Sequence, residues 1–361
     1  MRGRVSPWVL LAGCLLLACD SGAGVSPRRA ALDGLIEHVF LPMMGDFGAA
    51  AATLSERAEA LCAAPGDDTL EQARSAWQRA RTPVKQLEVV AFGPHTLPPW
   101  RLDAQFDFWP VRPDSIEDVL GGDQVLYGGD AGAFALGAST KGLPAIEYLL
   151  HGPGVGTASF ETESRRCDYL RALTADLELQ AAELEAVWRQ EFIPALRIEG
   201  EGGRYETIGE SFGEVANGLG ATLDIIRAEK IGRPFGEKSG GELQPDKLES
   251  RYAPRSTEDI LDTLAGVEAV FTGRYGDHRT GGLAELLRLG NRPKDVTFQR
   301  HMDASVAALR AIEGSLEQAL SDDPEGVQSA LDALRELHIF LQVDLTQALA
   351  VTVTFGGSDG D

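Results

Sequence analysis

Apolar residues recur along most of this chain at alternating spacings of three and four, the period that gathers them on one face of an α-helix. Leu32, Leu35, Ile36, Val39, Met43, Phe47, Leu54 and Leu61 share such a face and predict a first helix over about residues 29–61. Pro42 should kink it, because proline lacks the backbone donor that the helix needs. Asp68-Thr69-Leu70-Glu71 reads as a capping-box-like start. It leads into Leu70, Ala73, Trp77, Ala80, Val84, Leu87 and Ala91, the seam of a helix buried among neighbours in a bundle and bent near Pro83. Over about 92–139 the period gives way to a loop rich in Gly, Pro and aromatic residues. A loop of that length inside a compact domain usually carries function. Helical spacing resumes over about 142–151, 160–190 and 204–230, then, after a Gly/Lys/Pro-rich loop at 232–247, over about 256–273, 281–290, 295–320 and 325–353. The pattern predicts an all-α fold with any strand confined to about 92–138. Ile193-Pro194 and the Gly-rich stretch 199–203 suggest a boundary between two helical bundles, 29–193 and 204–355, followed by a polar tail at 356–361.

The N-terminus departs from this pattern. Arg2 and Arg4 precede an apolar run from Val9 to Ala18, too short for a stable membrane span and laid out like a secretory signal. It ends Leu16-Leu17-Ala18-Cys19, which resembles the lipobox of bacterial lipoproteins, with Cys19 as the lipidation site. Residues 1–18 then form the signal peptide and 19–28 a flexible polar tether. The expectation is a protein of the bacterial cell envelope, held to a membrane through Cys19 and facing the periplasm or the exterior.

Charge narrows the partners. Losing Arg2 and Arg4 with the signal moves the net charge from -22 to -24, which repels phosphate backbones and argues against nucleic acid. With Cys19 acylated, Cys62 and Cys167 remain, either as a disulfide in an oxidising compartment or as free buried thiols. They lack the CxxC spacing of a zinc site. Motifs for standard chemistries are mostly missing: there is no HExxH, no ExxH pair and no GxxxxGK[ST] loop. Gly209-Glu210-Ser211-Phe212-Gly213 matches GxSxG, but Ile208, Phe212, Val215 and Leu219 carry one helical stripe through it. A nucleophile elbow needs a strand, a sharp turn and a helix, so the match is read as chance.

Several separated stretches together resemble the imelysin family of bacterial envelope proteins. They are Ala73–Arg81 with Glu88 and Phe92-Gly93-Pro94; Phe106-Asp107-Phe108-Trp109-Pro110 with Ser115-Ile116-Glu117; Lys141-Gly142-Leu143-Pro144-Ala145-Ile146-Glu147; Leu248-Glu249-Ser250 leading to Ser256 and Asp259; and Val351 to Phe355. The resemblance implies two packed helical bundles with a cleft between them, walled in part by the helix that carries the family's GxHxxE motif. It also implies export, a link to iron acquisition and, from the family's name, a peptidase label that the residues do not support independently. Gly142 and Glu147 keep that motif, but Pro144 stands where the histidine belongs. A His and a Glu three apart share a helical face and could share a metal ion, whereas proline ligates nothing. Proline is acceptable near a helix start, so the fold should survive. His151, one turn after Glu147, is either a displaced ligand or a helix-end histidine near the carbonyl terminus. Glu88, Asp107, Glu249 and Ser250 either converge on the cleft with Glu147 or sit on solvated surfaces, with Glu88 paired to Lys85 or Arg81.

Three functions follow. The leading one is a non-enzymatic binding protein, linked to iron or to other metal or small-ligand acquisition, which binds a divalent metal or iron only weakly and works with iron-uptake proteins. The second is a metallopeptidase with Glu147 as base, for which no ligand set is evident. The third is an interaction module that has lost metal binding.

Overall fold

The computed structural model describes residues 25–352, except 91, 97, 99, 124, 127–135 and 198–204. The signal peptide, Cys19, Ala91, the suggested boundary at 199–203 and the polar tail therefore lie outside the described residues. The helices come in chain order: α1 (Pro27–Leu35), α2 (Leu41–Ala63), α3 (Asp67–Leu87), α4 (Asp103–Phe106), α5 (Pro113–Gly121), α6 (Gly142–His151), α7 (Thr157–Thr162), α8 (Ser164–Val187) and α9 (Ile193–Arg197). They continue as α10 (Ile208–Ile225), α11 (Ser256–Thr272), α12 (Gly282–Leu289), α13 (Asp295–Ala311), α14 (Leu316–Asp322), α15 (Pro324–Ile339) and α16 (Thr346–Leu349). The protein is all-α.

The first predicted helix is split rather than merely kinked. A π-helical turn at Ile36–Phe40 joins α1 to α2 immediately before Pro42, widening the turn where a proline ring would crowd the carbonyl four residues back. Pro83 stays inside α3. The predicted helix over 295–320 breaks into α13 and α14, where Ser315 caps α14 in a reciprocal pair with Gln318. The predicted confinement of strand is corrected. A two-stranded hairpin, β1 (Arg274–Tyr275) against β2 (His278–Arg279), lies well beyond 138, closed by a Gly276-Asp277 turn of the kind that favours tight hairpins.

The buried apolar side chains form one continuous core running from Leu32 to Leu349. In the first half, α2 packs between α3 and α8, and a Cys62–Cys167 disulfide joins α2 to α8 with a Cα separation of 5.4 Å. In the second half, α10, α11, α13 and α15 surround Phe271, Phe298 and Phe340. The halves meet where α3 lies along α11. Gly266 permits that approach: a Cβ there would come within 2.4 Å of the Gln86 carbonyl oxygen. This seam positions the site.

Candidate functional site

Along α3, the apolar seam is interrupted by charge. Arg81 and Lys85 occupy the same face as Trp77 and Val84 and are 1% and 0% exposed. An ionised side chain this deep must be paired and hydrogen-bonded. Its partners come from three other segments. The Arg81 guanidinium grips Asp259 of α11 at 2.6 and 3.1 Å, contacts Glu249 at 3.2 Å and donates to Asp107. The Lys85 ammonium lies 2.6 Å from Glu88 and 2.6 Å from Asp107, and donates also to Glu249. Lys230, just past α10, closes the cluster with bonds of 2.6 and 2.7 Å to Glu88 and 2.9 Å to Glu249.

Hydroxyls complete the shell. Ser250 donates to Asp259 at 2.5 Å and Thr263 to Glu88 at 2.8 Å, while Arg255 binds Asp259 and reaches Asp262 at 2.6 Å. Burial works against ionising Glu249, yet Lys230, Lys85 and Arg81 hold its carboxyl well below the usual range. Burial also resists charge on Asp259, and Arg81 and Arg255 overcome it. For Lys85, burial and the neighbouring Arg81 favour the neutral amine, but Asp107, Glu249 and Glu88 outweigh both and raise its pKa.

Glu147 has a different environment. It is 1% exposed on α6, and its Oε1 accepts from the backbone N–H groups of Tyr252 at 2.8 Å and Ala253 at 3.0 Å, across the seam. It makes no ion pair among the described residues. Burial pushes its pKa up to about 7, with the Ala253 N–H and then Arg81 only partly restraining the rise.

A cavity of about 200 Å³ opens beside the cluster, walled by α3, by the 92–112 loop and by α10 with the turn that follows it. Glu88, Asp107, Glu249 and Lys230 line it, with Asp103, His95, Phe106 and Trp109 forming the loop side. Three of the residues anticipated from sequence, Glu88, Asp107 and Glu249, thus come together. Ser250 joins them through Asp259. Pro144 and Glu147 do not line this cavity; they border a smaller void beside Arg81 and Trp109. The expectation that the motif helix walls the cleft is corrected to that extent. Gly142 acts sterically: its φ is +74°, and a Cβ would meet the Phe106 carbonyl oxygen at 2.5 Å. His151 packs on Trp77 with ring centroids 5.4 Å apart, outside the cavity lining, and burial lowers its pKa to about 4. Glu88 does pair with Lys85, but Lys85 is fully buried and Glu88 half-buried, so this is not a solvated pair on a helix surface. Glu249 likewise is 5% exposed, not solvated.

The family profile described as imelysin matches residues 40–341, most of the chain. The chain belongs to the imelysin family. Iron-regulated protein A of Synechococcus elongatus is 27% identical over 327 residues, covering 89% of this chain and 83% of that protein. Two solved structures share the fold. A protein described as an iron-regulated protein A precursor from Parabacteroides distasonis has a TM-score of 0.75 at 18% identity, covering 89% of this chain and 95% of its own. An imelysin-like protein from Psychrobacter arcticum has a TM-score of 0.74 at 18% identity, covering 91% and 96% respectively.

Imelysin membership raises the question of a metal. Glu88, Asp107 and Glu249 each present an oxygen within 4.8 Å of the others, a spacing that could hold an ion. The residues do not fit one here, because the Lys85 ammonium already touches all three carboxylates. A divalent ion needs oxygens at roughly 2.0–2.6 Å and would have to displace it. Sequence reasoning missed Arg81, Lys85 and Lys230 as site residues. The usable signal was cations placed on an apolar helical stripe, where only a buried acidic partner could sustain them.

Proposed function

We propose that this imelysin-family protein is a lipid-anchored, non-enzymatic binding protein of the bacterial envelope, active in iron-related physiology, whose cavity between α3, α10 and the 92–112 loop holds a small ligand other than a bare metal ion. The observation that carries this reading is the Lys85 ammonium seated among Glu88, Asp107 and Glu249. It neutralises the acidic cluster from within, and it leaves those carboxylates engaged as structural partners rather than free as bases or nucleophiles. The iron-regulated relatives support the physiological setting, and Leu16-Leu17-Ala18-Cys19 supports the anchor.

Two measurements test it. Labelled lipid should enter the natural protein and not Cys19→Ala; incorporation into that variant removes the anchor. Protein recovered from iron-starved cells should carry a small molecule releasable on denaturation and should not cleave casein. Chelator-sensitive cleavage lost in Glu147→Gln would establish the peptidase instead.

A further inference from the structure

The cavity offers a ligand a definite set of unused groups. Each ammonium of the cluster is saturated: Lys85 donates toward Glu88, Asp107 and Glu249, and Lys230 toward both oxygens of Glu88 and one of Glu249. An ammonium has three donors, so neither retains one for a ligand. Carboxylate oxygens accept more than one bond each, so the inner wall presents acceptors only.

The loop side adds four features. Asp103 lines the cavity and makes no ion pair among the described residues, its Oδ1 accepting from the Ala104 N–H at 2.8 Å. His95 lines it too. This residue is 4% exposed, and its Nδ1 is buried with no hydrogen-bond partner. Trp109 contributes a second buried, unpartnered atom, the indole Nε1, which can only donate. Phe106 and Trp109 supply aromatic surface. Buried polar atoms without partners are rare in folded proteins, and two of them bordering one cavity point to something that fills it.

We infer that the cavity binds a small organic cation of the amino-alcohol type, including amino sugars: an ammonium directed at Asp103 and Glu88, and a hydroxyl or ether oxygen to accept from Trp109. Charge selects the ammonium. Arg81, Lys85 and Lys230 balance Glu88, Asp107 and Glu249, so Asp103 is the lining carboxylate without a counter-ion among the described residues, and aromatic walls favour an organic cation over a neutral solute. The unused indole N–H requires an acceptor on the same molecule. A ligand carboxylate would supply one but would meet the unpaired Asp103 and the acceptor oxygens of the inner wall. Neutral His95, its pKa lowered to about 4 by burial, accommodates either a donor or an acceptor.

This inference rests on the cavity-binding reading and is tested separately from it. The full chain is titrated calorimetrically with two matched pairs, glucosamine against glucose and ethanolamine against ethylene glycol. The amine of at least one pair should bind at least about tenfold more tightly than its neutral partner. Asp103→Asn, which keeps shape at a partly exposed site, should reduce that preference to about threefold or less. Ile225→Arg, at the cavity's exposed rim, should block binding altogether. Equal affinity for amine and neutral partner, blocked by Ile225→Arg, overturns the ligand class and leaves cavity binding intact. Binding indifferent to both substitutions places the solute elsewhere and overturns the inference. Absence of binding by both amines overturns it as well, the two unpartnered atoms then being satisfied by water; the cavity-binding reading is then decided by the molecule released from cell-derived protein.

Discussion

Two sets of carboxylates lie equally deep in this protein, and they behave in opposite ways. Glu249 and Asp259 sit among Arg81, Lys85, Lys230 and Arg255 and are held ionised. Glu147, a few residues from Pro144 on α6, has only two backbone donors and is driven toward the neutral acid, with a pKa of about 7. Depth is common to both, so depth does not set their charge. The number of cations within contact does, because desolvation opposes charge at each site and only a fixed counter-charge repays it.

Removing the central cation should have the largest effect. Arg81→Met leaves Asp107, Asp259 and Glu249 without their guanidinium and should lower unfolding free energy by about 3–5 kcal/mol. Chemical denaturation measures this, and a loss below about 1 kcal/mol would mean the cluster is not held as described.

Acid and base should separate the two regions. Glu88, Glu249 and Asp259 have depressed pKa values, so their stabilisation is present above the ordinary carboxylate range and is lost as pH falls through their folded values. Glu147 is the reverse. Its folded pKa is raised, so folding takes up a proton, and stability falls as pH climbs from about 4.5 to about 7 and levels off above. The full swing is about 3 kcal/mol at most. Glu147→Gln should remove that slope while keeping an oxygen for the Tyr252 and Ala253 N–H groups. Denaturation curves for natural protein and variant at pH 5 and pH 8 should diverge at pH 8; equal differences at both would place the Glu147 pKa in the ordinary range.

The ammonium can be tested as an occupant. Lys85→Met should bind Mn²⁺ at least about tenfold more tightly than the natural protein, since the one ammonium that touches all three carboxylates is then gone from between them. Adding Glu249→Gln should cancel the gain. Tight binding by the natural protein would show that Lys85 yields to a metal. The smallest effect is expected at position 144. Pro144 lines the same small void as Arg81, so an imidazole placed there shares that void with a cation. Pro144→His should therefore strengthen divalent binding by only a few-fold by calorimetry, less than the sequence motif suggests, and a hundredfold gain would show that Arg81 moves aside.

Much of the fold was legible because it is written in local spacing. Leu32 to Leu61 and Leu70 to Leu87 announce their helices through periodicity alone. The π turn before Pro42 and the cap at Ser315 fell within one turn of where the pattern placed continuous helix, since end effects depend on a few hydrogen bonds that periodicity averages out. Glu88, Asp107 and Glu249 were legible as a set only through family-like stretches. Their counter-ions were not, because Asp259 is 178 residues from Arg81 and Lys230 is 142 from Glu88, and no local rule pairs charges over such distances. His95 and Asp103 lay in the long stretch without a period over about 92–139, where sequence spacing predicts no contacts.

The Cys62–Cys167 bond lies wholly within the first half of the chain, whereas four partners of Arg81 and Lys85 are divided between early and late segments. Glu88 and Asp107 arrive with α3 and its loop, but Glu249 and Asp259 are added only after residue 248. If the chain is exported N-terminus first into an oxidising compartment, as proposed, α2 can be sealed to α8 while two cations on α3 still lack half their counter-charge. The first half is then covalently finished yet electrostatically incomplete, an acceptor surface that only the second half of the same polypeptide satisfies. Glu249, which lines the cavity, belongs to that second half, so the cavity wall is complete only when both halves are in place.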